Sequence, residues 1–92
     1  MSDSHWDLEP WEGELRSWAD PAIAARIRWL VRYRLQHLGD ANDGYDRLYQ
    51  DPADGRLWEY THPWPEAHGG GPYLLSVVAK DEVRSKYGLA SA

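Results

Sequence analysis

The side chains best suited to chemistry lie between His62 and His68, where two imidazoles flank the carboxylate of Glu66. Two histidines and one carboxylate form a ligand set that zinc accepts. Their spacing matches no standard helical or hairpin ligand pattern, so we predict no metal and no other cofactor. A small ligand- or metal-binding domain that uses the His62–His68 loop stays open as the alternative function.

Three consecutive glycines, Gly69, Gly70 and Gly71, separate His68 from Pro72. Glycine-rich loops bind phosphate when their amides converge, usually before a helix and with a lysine nearby. Here a proline and a predicted strand follow, and the neighbouring charges are acidic. We therefore predict a structural loop in which the glycines give the backbone a tight path against the sheet.

Three carboxylates, Asp51, Asp54 and Glu59, surround a predicted hairpin. General acid–base catalysis needs a carboxyl group whose pKa is shifted by an apolar pocket. Aspartates in hairpin turns normally form the turn and are solvated. No serine, threonine or lysine completes a catalytic constellation, so the sequence favours a protein that is not an enzyme.

With metal binding, phosphate binding and catalysis disfavoured, the remaining functional feature of the sequence is an acidic surface with aromatic side chains. Aromatic anchors with an acidic rim suit binding to a basic patch on another protein. The predicted partner-binding residues are Asp51, Asp54, Glu59, Trp64, Glu66 and His68. A solvated acidic face without a partner is the competing interpretation.

The composition predicts one small globular domain over residues 1–92, with residues 1–10 flexible. The chain has no cysteine, and its aromatic residues are six Trp and six Tyr with no Phe. No secretory signal and no membrane-spanning stretch is visible, so we expect a cytoplasmic protein with no membrane partner.

The formal net charge of −5 is unevenly distributed along the chain. Residues 21–38 hold four arginines and no acid, whereas residues 39–79 hold seven acids and two arginines. An acidic field repels nucleic acid and attracts basic partners. We therefore do not expect direct nucleic-acid binding.

A long helix is predicted from Pro21, capped by Asp20, to the stop signal Gly39. Its apolar positions follow helical spacing: Ile23, Ile27, Leu30, Val31, Leu35 and Leu38. Trp29 and Tyr33 lie away from this stripe, so either the N-terminal segment or a partner covers them, and we favour the segment. Arg34 falls inside the stripe, where it should either extend to the edge of the apolar surface or pair with a carboxylate.

Three antiparallel strands follow, with a hairpin turn at Asp51–Gly55 in which Gly55 supplies the positive φ. The predicted elements are strands 45–50, 57–61 and 73–79, a short helix over 81–87 and a weaker strand within 11–18. Leu48, Trp58 and Tyr60 are expected to point towards the core and Tyr49 away from it. The fold class is α+β: a two-layer sandwich of a three- to four-stranded antiparallel sheet on one long helix, with a short C-terminal helix.

Two of these motifs together resemble the immunity protein 27 family of bacterial polymorphic toxin systems. The first is the run from Leu48 to Tyr60, which contains Asp51-Pro52-Ala53-Asp54-Gly55-Arg56 and then Trp58-Glu59. The second is His68-Gly69-Gly70-Gly71-Pro72, followed by Tyr73 and Leu74. The resemblance covers about a third of the chain strongly, and the part before Pro21 fits poorly.

The resemblance implies a cytoplasmic protein, not an enzyme, that binds a cognate toxin and blocks its active site or an exosite. The acidic balance is consistent with a basic nuclease as the toxin. The resemblance assigns no toxin-contacting residues, so the six partner-binding residues above come from the surface argument alone.

Overall fold

The described residues form five strands and two helices; this confirms the predicted α+β class, whereas the predicted sheet of three to four strands was too small. The computed structural model describes residues 6–63 and 72–88. In chain order the elements are β1 (Glu14–Arg16), α1 (Pro21–Trp29), a π-helical turn (Leu30–Arg34), β2 (Gln36–Ala41), β3 (Asp46–Gln50), β4 (Leu57–Thr61), β5 (Leu74–Val77) and α2 (Lys80–Tyr87).

The strands form one antiparallel sheet in the order β1-β5-β4-β3-β2. The three predicted strands become β3, β4 and β5, and the weak N-terminal signal becomes β1 at one edge. The fifth strand, β2, was not predicted and forms the other edge.

Helix α1 begins where the sequence predicts and ends earlier. Asp20 accepts a hydrogen bond from the amide of Ala22 (2.7 Å), which caps the first turn. After Trp29 the helix widens into the π-helical turn, and Leu35 already has extended backbone (ψ 146). The prediction of a helix up to Gly39 was therefore wrong, because Gly39 lies within β2 beside a register shift, a β-bulge.

The main core fills the space between α1 and one face of the sheet. It contains eight buried residues: Leu8, Leu15, Ile27, Leu30, Leu35, Tyr49, Trp58 and Leu75. Tyr49 lies opposite Trp58 in the β3–β4 ladder, so the two side chains share this face. The expectation that Tyr49 points away from the core was wrong.

The second face of the sheet is also covered, by α2. Leu48 and Leu57 pack there against Val83, and all three are buried. Leu48 is opposite Glu59 in the ladder and so faces away from Trp58. The molecule therefore has three layers, α1, sheet and α2, instead of the predicted two.

The C-terminal helix matches its prediction closely. It ends at Gly88, whose left-handed backbone (φ +71) is the usual helix-terminating conformation.

Residues 6–12, which we call the N-terminal strap, lie against α1 and the sheet. Leu8 enters the main core, and the rings of Trp6 and Trp29 lie 6.1 Å apart. Arg34 lies 3.3 Å from the carboxylate of Asp7, as expected for a cation within the apolar stripe. The strap thus covers Trp29 as predicted, whereas Tyr33 remains 68% exposed.

Within residues 6–63 and 72–88, no helix combines the length and the apolar character that crossing a bilayer requires.

Candidate functional site

The hairpin turn uses Asp51 as an internal brace. The Asp51 side chain is only 2% exposed and accepts a hydrogen bond from the amide of Ala53 (2.9 Å). The amide of Gly55 donates to the Asp51 carbonyl (2.7 Å), and Gly55 has the predicted positive φ of +80. The Asp51 carboxylate is consequently directed at its own turn.

Asp54 is held by Arg56. Its carboxylate accepts hydrogen bonds from the Arg56 backbone amide (3.0 Å) and from Nε of the same residue (2.7 Å). Burial raises the pKa of Asp54, but these bonds outweigh burial and leave that pKa below its ordinary value. Asp54 therefore stays ionised near neutral pH and stays paired.

Glu59 joins the sheet to α2. Its Oε2 accepts a hydrogen bond from the Tyr87 hydroxyl (2.8 Å) and lies 2.5 Å from Lys86 Nζ. Lys86 also reaches Asp46 (2.9 Å). Burial, and then the hydrogen bond to Glu59, raise the pKa of Tyr87 above its ordinary value. The Glu59 carboxylate is thus bound by two residues of α2, Lys86 and Tyr87.

The hairpin turn and the His62 loop lie at opposite ends of β4. Leu57 pairs with Gln50 next to the turn, while Thr61 pairs with Leu74 next to the loop. A strand of five residues separates them by roughly 13–17 Å. Asp51 and Asp54 at the turn therefore lie about one strand length from His62.

Most of the predicted loop residues lie outside the part of the chain that the structure describes. These are Trp64, Glu66, His68, Gly69, Gly70 and Gly71. Pro72 is described and lies half-buried in a bend just before β5. The contact role of the six predicted residues stays a prediction.

Four rings meet where this loop leaves the sheet, and we call them the loop-end cluster: Tyr45, Tyr60, His62 and Tyr73. The ring centroid of Tyr60 lies 5.4 Å from that of His62 and 5.4 Å from that of Tyr73. The ring centroids of His62 and Tyr45 are 6.3 Å apart. All four side chains are half-buried or exposed. The sequence analysis did not identify this cluster, although Tyr60 and His62 alternate along one strand face, which was a usable signal.

Two arginines flank the loop-end cluster. Arg28 donates a hydrogen bond to the Tyr73 hydroxyl (2.6 Å), and Arg47 lies opposite Tyr60 in the β3–β4 ladder. Burial raises the pKa of Tyr60, with Tyr73 and Tyr49 adding to the effect and both arginines opposing it. The Tyr60 phenol is therefore neutral at physiological pH and can donate a hydrogen bond.

Nothing in the described segments forms a ready metal site. Those segments contain no group of three or more His, Asp or Glu side chains arranged to hold an ion. His62 Nδ1 lies 3.1 Å from the carbonyl oxygen of Tyr45, so this nitrogen has a protein partner.

An open groove lies at the hairpin end of the sheet and has a volume of about 340 Å³. It is lined by Asp54, Gly55, Arg56, Leu57, Val77, Val78 and Lys80. Its lining combines three apolar side chains with both signs of charge, which suits contact with a side chain of another protein.

A comparison with protein-family models matches residues 16–79 to Immunity protein 27. The match covers more than half of the chain, and the protein therefore belongs to the immunity protein 27 family. It includes the hairpin motif, β2 to β5 and the loop between β4 and β5, and it confirms the resemblance seen in the sequence. The N-terminal strap and α2 lie outside the matched range.

Comparisons with curated proteins and with solved structures found no significant match. Family membership is therefore the one functional statement that similarity supplies.

Proposed function

We propose that this protein is a cytoplasmic immunity protein that binds a cognate toxin and neutralises it by covering its active site or an exosite. The observation that carries the proposal is membership of the immunity protein 27 family. Immunity in such a protein requires binding and no chemistry, so we propose that it is not an enzyme.

We place the toxin contact first at the end of the sheet that carries the loop-end cluster. Aromatic side chains that are already fixed by their neighbours bind with little loss of conformational freedom. The loop that starts beside His62 also contains the predicted contact residues Trp64, Glu66 and His68. We propose that the loop-end cluster and these loop residues contact the toxin together.

We do not propose the three hairpin carboxylates as direct anchors for the toxin. Asp51 and Glu59 hold the turn and α2, so their substitution would change the scaffold before it changes a contact. Asp54 lies at the exposed tip and keeps its charge while paired with Arg56. We propose that Asp54 contributes to the acidic field and that Asp51 and Glu59 act through the fold.

Charge adds a kinetic argument. The net charge of −5 attracts a cationic toxin, for instance a basic nuclease, over distances of about one Debye length, roughly 8 Å at physiological ionic strength. Electrostatic attraction raises association rates more than final affinity. Fast association protects a cell that makes the toxin itself.

The test is co-expression with a candidate toxin domain from the neighbouring genes, scored by survival and by co-purification. Wild-type protein should rescue growth and co-purify with the toxin. The surface variant Tyr45→Ala should bind the toxin at least about tenfold more weakly and keep the wild-type melting temperature, because the Tyr45 side chain is exposed.

Absence of rescue and of co-purification by the wild-type protein would refute the proposed function. Wild-type affinity of Tyr45→Ala for the toxin would leave the proposed function standing and would move the contact away from the loop-end cluster.

A further inference from the structure

Trp11 is the most exposed of the large apolar side chains among the described residues, at 80%. It lies in the turn Glu9–Glu12, which we call the Trp11 turn. The amide of Glu12 donates to the Glu9 carbonyl (3.0 Å), and Pro10 occupies the position where a β-turn favours proline. An indole exposed to this extent buries little of its large apolar surface within the fold. Packing within the domain therefore does not explain why a tryptophan occupies this position.

The Trp11 turn is held rigidly from the α1 side. Arg26 makes a bidentate contact with the Glu12 carboxylate (2.6 and 2.7 Å). The same guanidinium donates to the carbonyls of Trp6 (3.0 Å) and Asp7 (2.5 Å). The Glu12 carboxylate in turn accepts a hydrogen bond from the Glu9 amide (2.8 Å).

A second arginine holds the Trp11 turn from the hairpin side. Arg56 donates to the carbonyls of Glu12 (2.6 Å) and Glu9 (3.1 Å) and is itself paired with Asp54. Its guanidinium also lies over the buried ring of Trp58, 5.0 Å from the ring centroid. Both ends of the turn are thus fixed to the folded domain, while the indole at its tip is not covered.

A rigid turn that displays an exposed tryptophan has the properties of a binding anchor. Tryptophan is enriched among the residues that dominate the energy of protein interfaces. Fixing the side chain's backbone before binding lowers the conformational entropy that association costs. Internal stability does not explain the arrangement, because the exposed ring adds little apolar burial to the fold.

The surroundings indicate the chemistry of the partner. The groove at the hairpin end lies beside the Trp11 turn, because two of its lining residues bond to this part of the chain. Arg56 donates to the Glu12 carbonyl, and the Val77 amide donates to the Gly13 carbonyl (3.0 Å). Within the described residues, the Glu9 carboxylate has no cationic partner closer than 4.0 Å. A complementary surface would hold the indole in an apolar pocket and place a basic side chain near Glu9.

We infer that Trp11 is a second toxin anchor, inserted into an apolar pocket with a basic rim on the cognate toxin. This inference rests on the proposed function, because it takes the toxin as the partner. Trp11 precedes the family-matched range 16–79, so the family match assigns this residue no role.

The experiment measures the dissociation constant between the purified immunity protein and the toxin domain that it protects against in the co-expression test. Trp11→Ala should weaken binding at least about tenfold, and Trp11→Phe should weaken it less, because an aromatic ring still fills the pocket. Tyr33→Ala is the matched control, since Tyr33 is also an exposed aromatic residue (68%) but lies on the helical segment. Its dissociation constant should stay within about twofold of wild type.

Melting temperatures of the same variants separate binding from folding. Trp11→Ala should melt within about 2 °C of wild type, because little packing is lost at an exposed site. Equal affinity of wild type and Trp11→Ala for the toxin would overturn the anchor and leave the proposed function intact. A wild-type protein that does not bind the toxin would overturn both.

Sedimentation of the toxin-free protein excludes a different occupant. Wild type and Trp11→Ala should sediment as the same species at micromolar concentration. A dimer that forms only when Trp11 is present would show that a second copy of this chain covers the indole, and would overturn the toxin assignment.

Discussion

At the scale of single residues, two arginines attach the N-terminal strap to the rest of the domain. Arg26 and Arg56 each satisfy backbone carbonyls of the N-terminal strap while neutralising a carboxylate. Bidentate, charge-assisted bonds of this kind are directional, so they fix position as well as adding stability. The strap is consequently part of the folded domain, although the family match begins after it.

The Glu12–Arg26 pair makes stability depend on acid pH. The hydrogen bond from Arg26 lowers the pKa of Glu12 below its ordinary value of 4.5, against a smaller opposing effect of burial. A carboxyl group whose pKa is lower in the folded state stabilises the fold above that ordinary value and loses this contribution as the pH falls through its folded pKa. Glu12→Gln should therefore lower the melting temperature most at pH 7, and the gap to wild type should narrow towards pH 3.

Thermal unfolding followed by circular dichroism at pH 7, 5 and 3 measures this gap. Glu14→Gln is the control, because its ion pair with Arg16 is largely exposed and such pairs contribute little. A Glu12→Gln gap of constant size across the pH range would contradict the role given to this pair.

The arrangement of α2 is decided at the scale of elements. One side of this helix packs Val83 on Leu48 and Leu57, and its last turn is tied to the sheet through Glu59. A polar and an apolar contact therefore hold the same short helix, which has only eight residues and would not be stable alone.

Removing the Glu59 carboxylate should loosen α2 selectively. We expect Glu59→Gln to lower the free energy of unfolding by about 1–3 kcal/mol, because Lys86 and Tyr87 lose a charged acceptor. Amide hydrogen exchange should speed up in residues 83–87 more than in β4. The matched variant Arg84→Gln removes an exposed pair with Asp81 and should leave both quantities nearly unchanged.

Uniform acceleration of exchange across the sheet would mean that Glu59 supports the whole fold and not this helix in particular. The same result bears on the predicted contact role of Glu59, since a fall in toxin affinity could then be explained by unfolding alone.

At the scale of the whole molecule, two elements cover opposite faces of one thin sheet, and the strap closes one side of the main core. Leu8 is buried among residues of α1 and the sheet. Deleting residues 1–13 should therefore cost at least about 2 kcal/mol, although the family-matched range would be complete.

Urea unfolding of the shortened protein measures this cost, and deletion of residues 1–5 serves as the control because it leaves the strap contacts in place. An unchanged urea midpoint after removal of residues 1–13 would show that the strap adds nothing to stability. The contacts that Arg26 and Arg56 make with the strap would then be too weak to fix the Trp11 turn.

Local signals predicted the elements whose ends carry specific residues. Asp20 and Pro21 start α1, Gly88 ends α2, and the Asp54–Gly55 pair forms the hairpin, because each solves a backbone problem within a few residues. Local residue patterns also indicated the family, through the two motifs of the sequence analysis. The end of α1 had no such signal, and apolar spacing at Leu35 and Leu38 fitted a helix equally well.

The sequence by itself determined the α+β class, the hairpin, the terminal helix and the family. Tertiary structure decided that residues 36–41 form an edge strand, that Leu48 and Trp58 face different layers, and that Glu59 is tied to α2. It also decided that the hairpin turn and the loop-end cluster lie at opposite ends of β4. The physical reason is that caps and turns depend on neighbours in sequence, whereas strand pairing, burial and ion pairing depend on groups that only folding brings together.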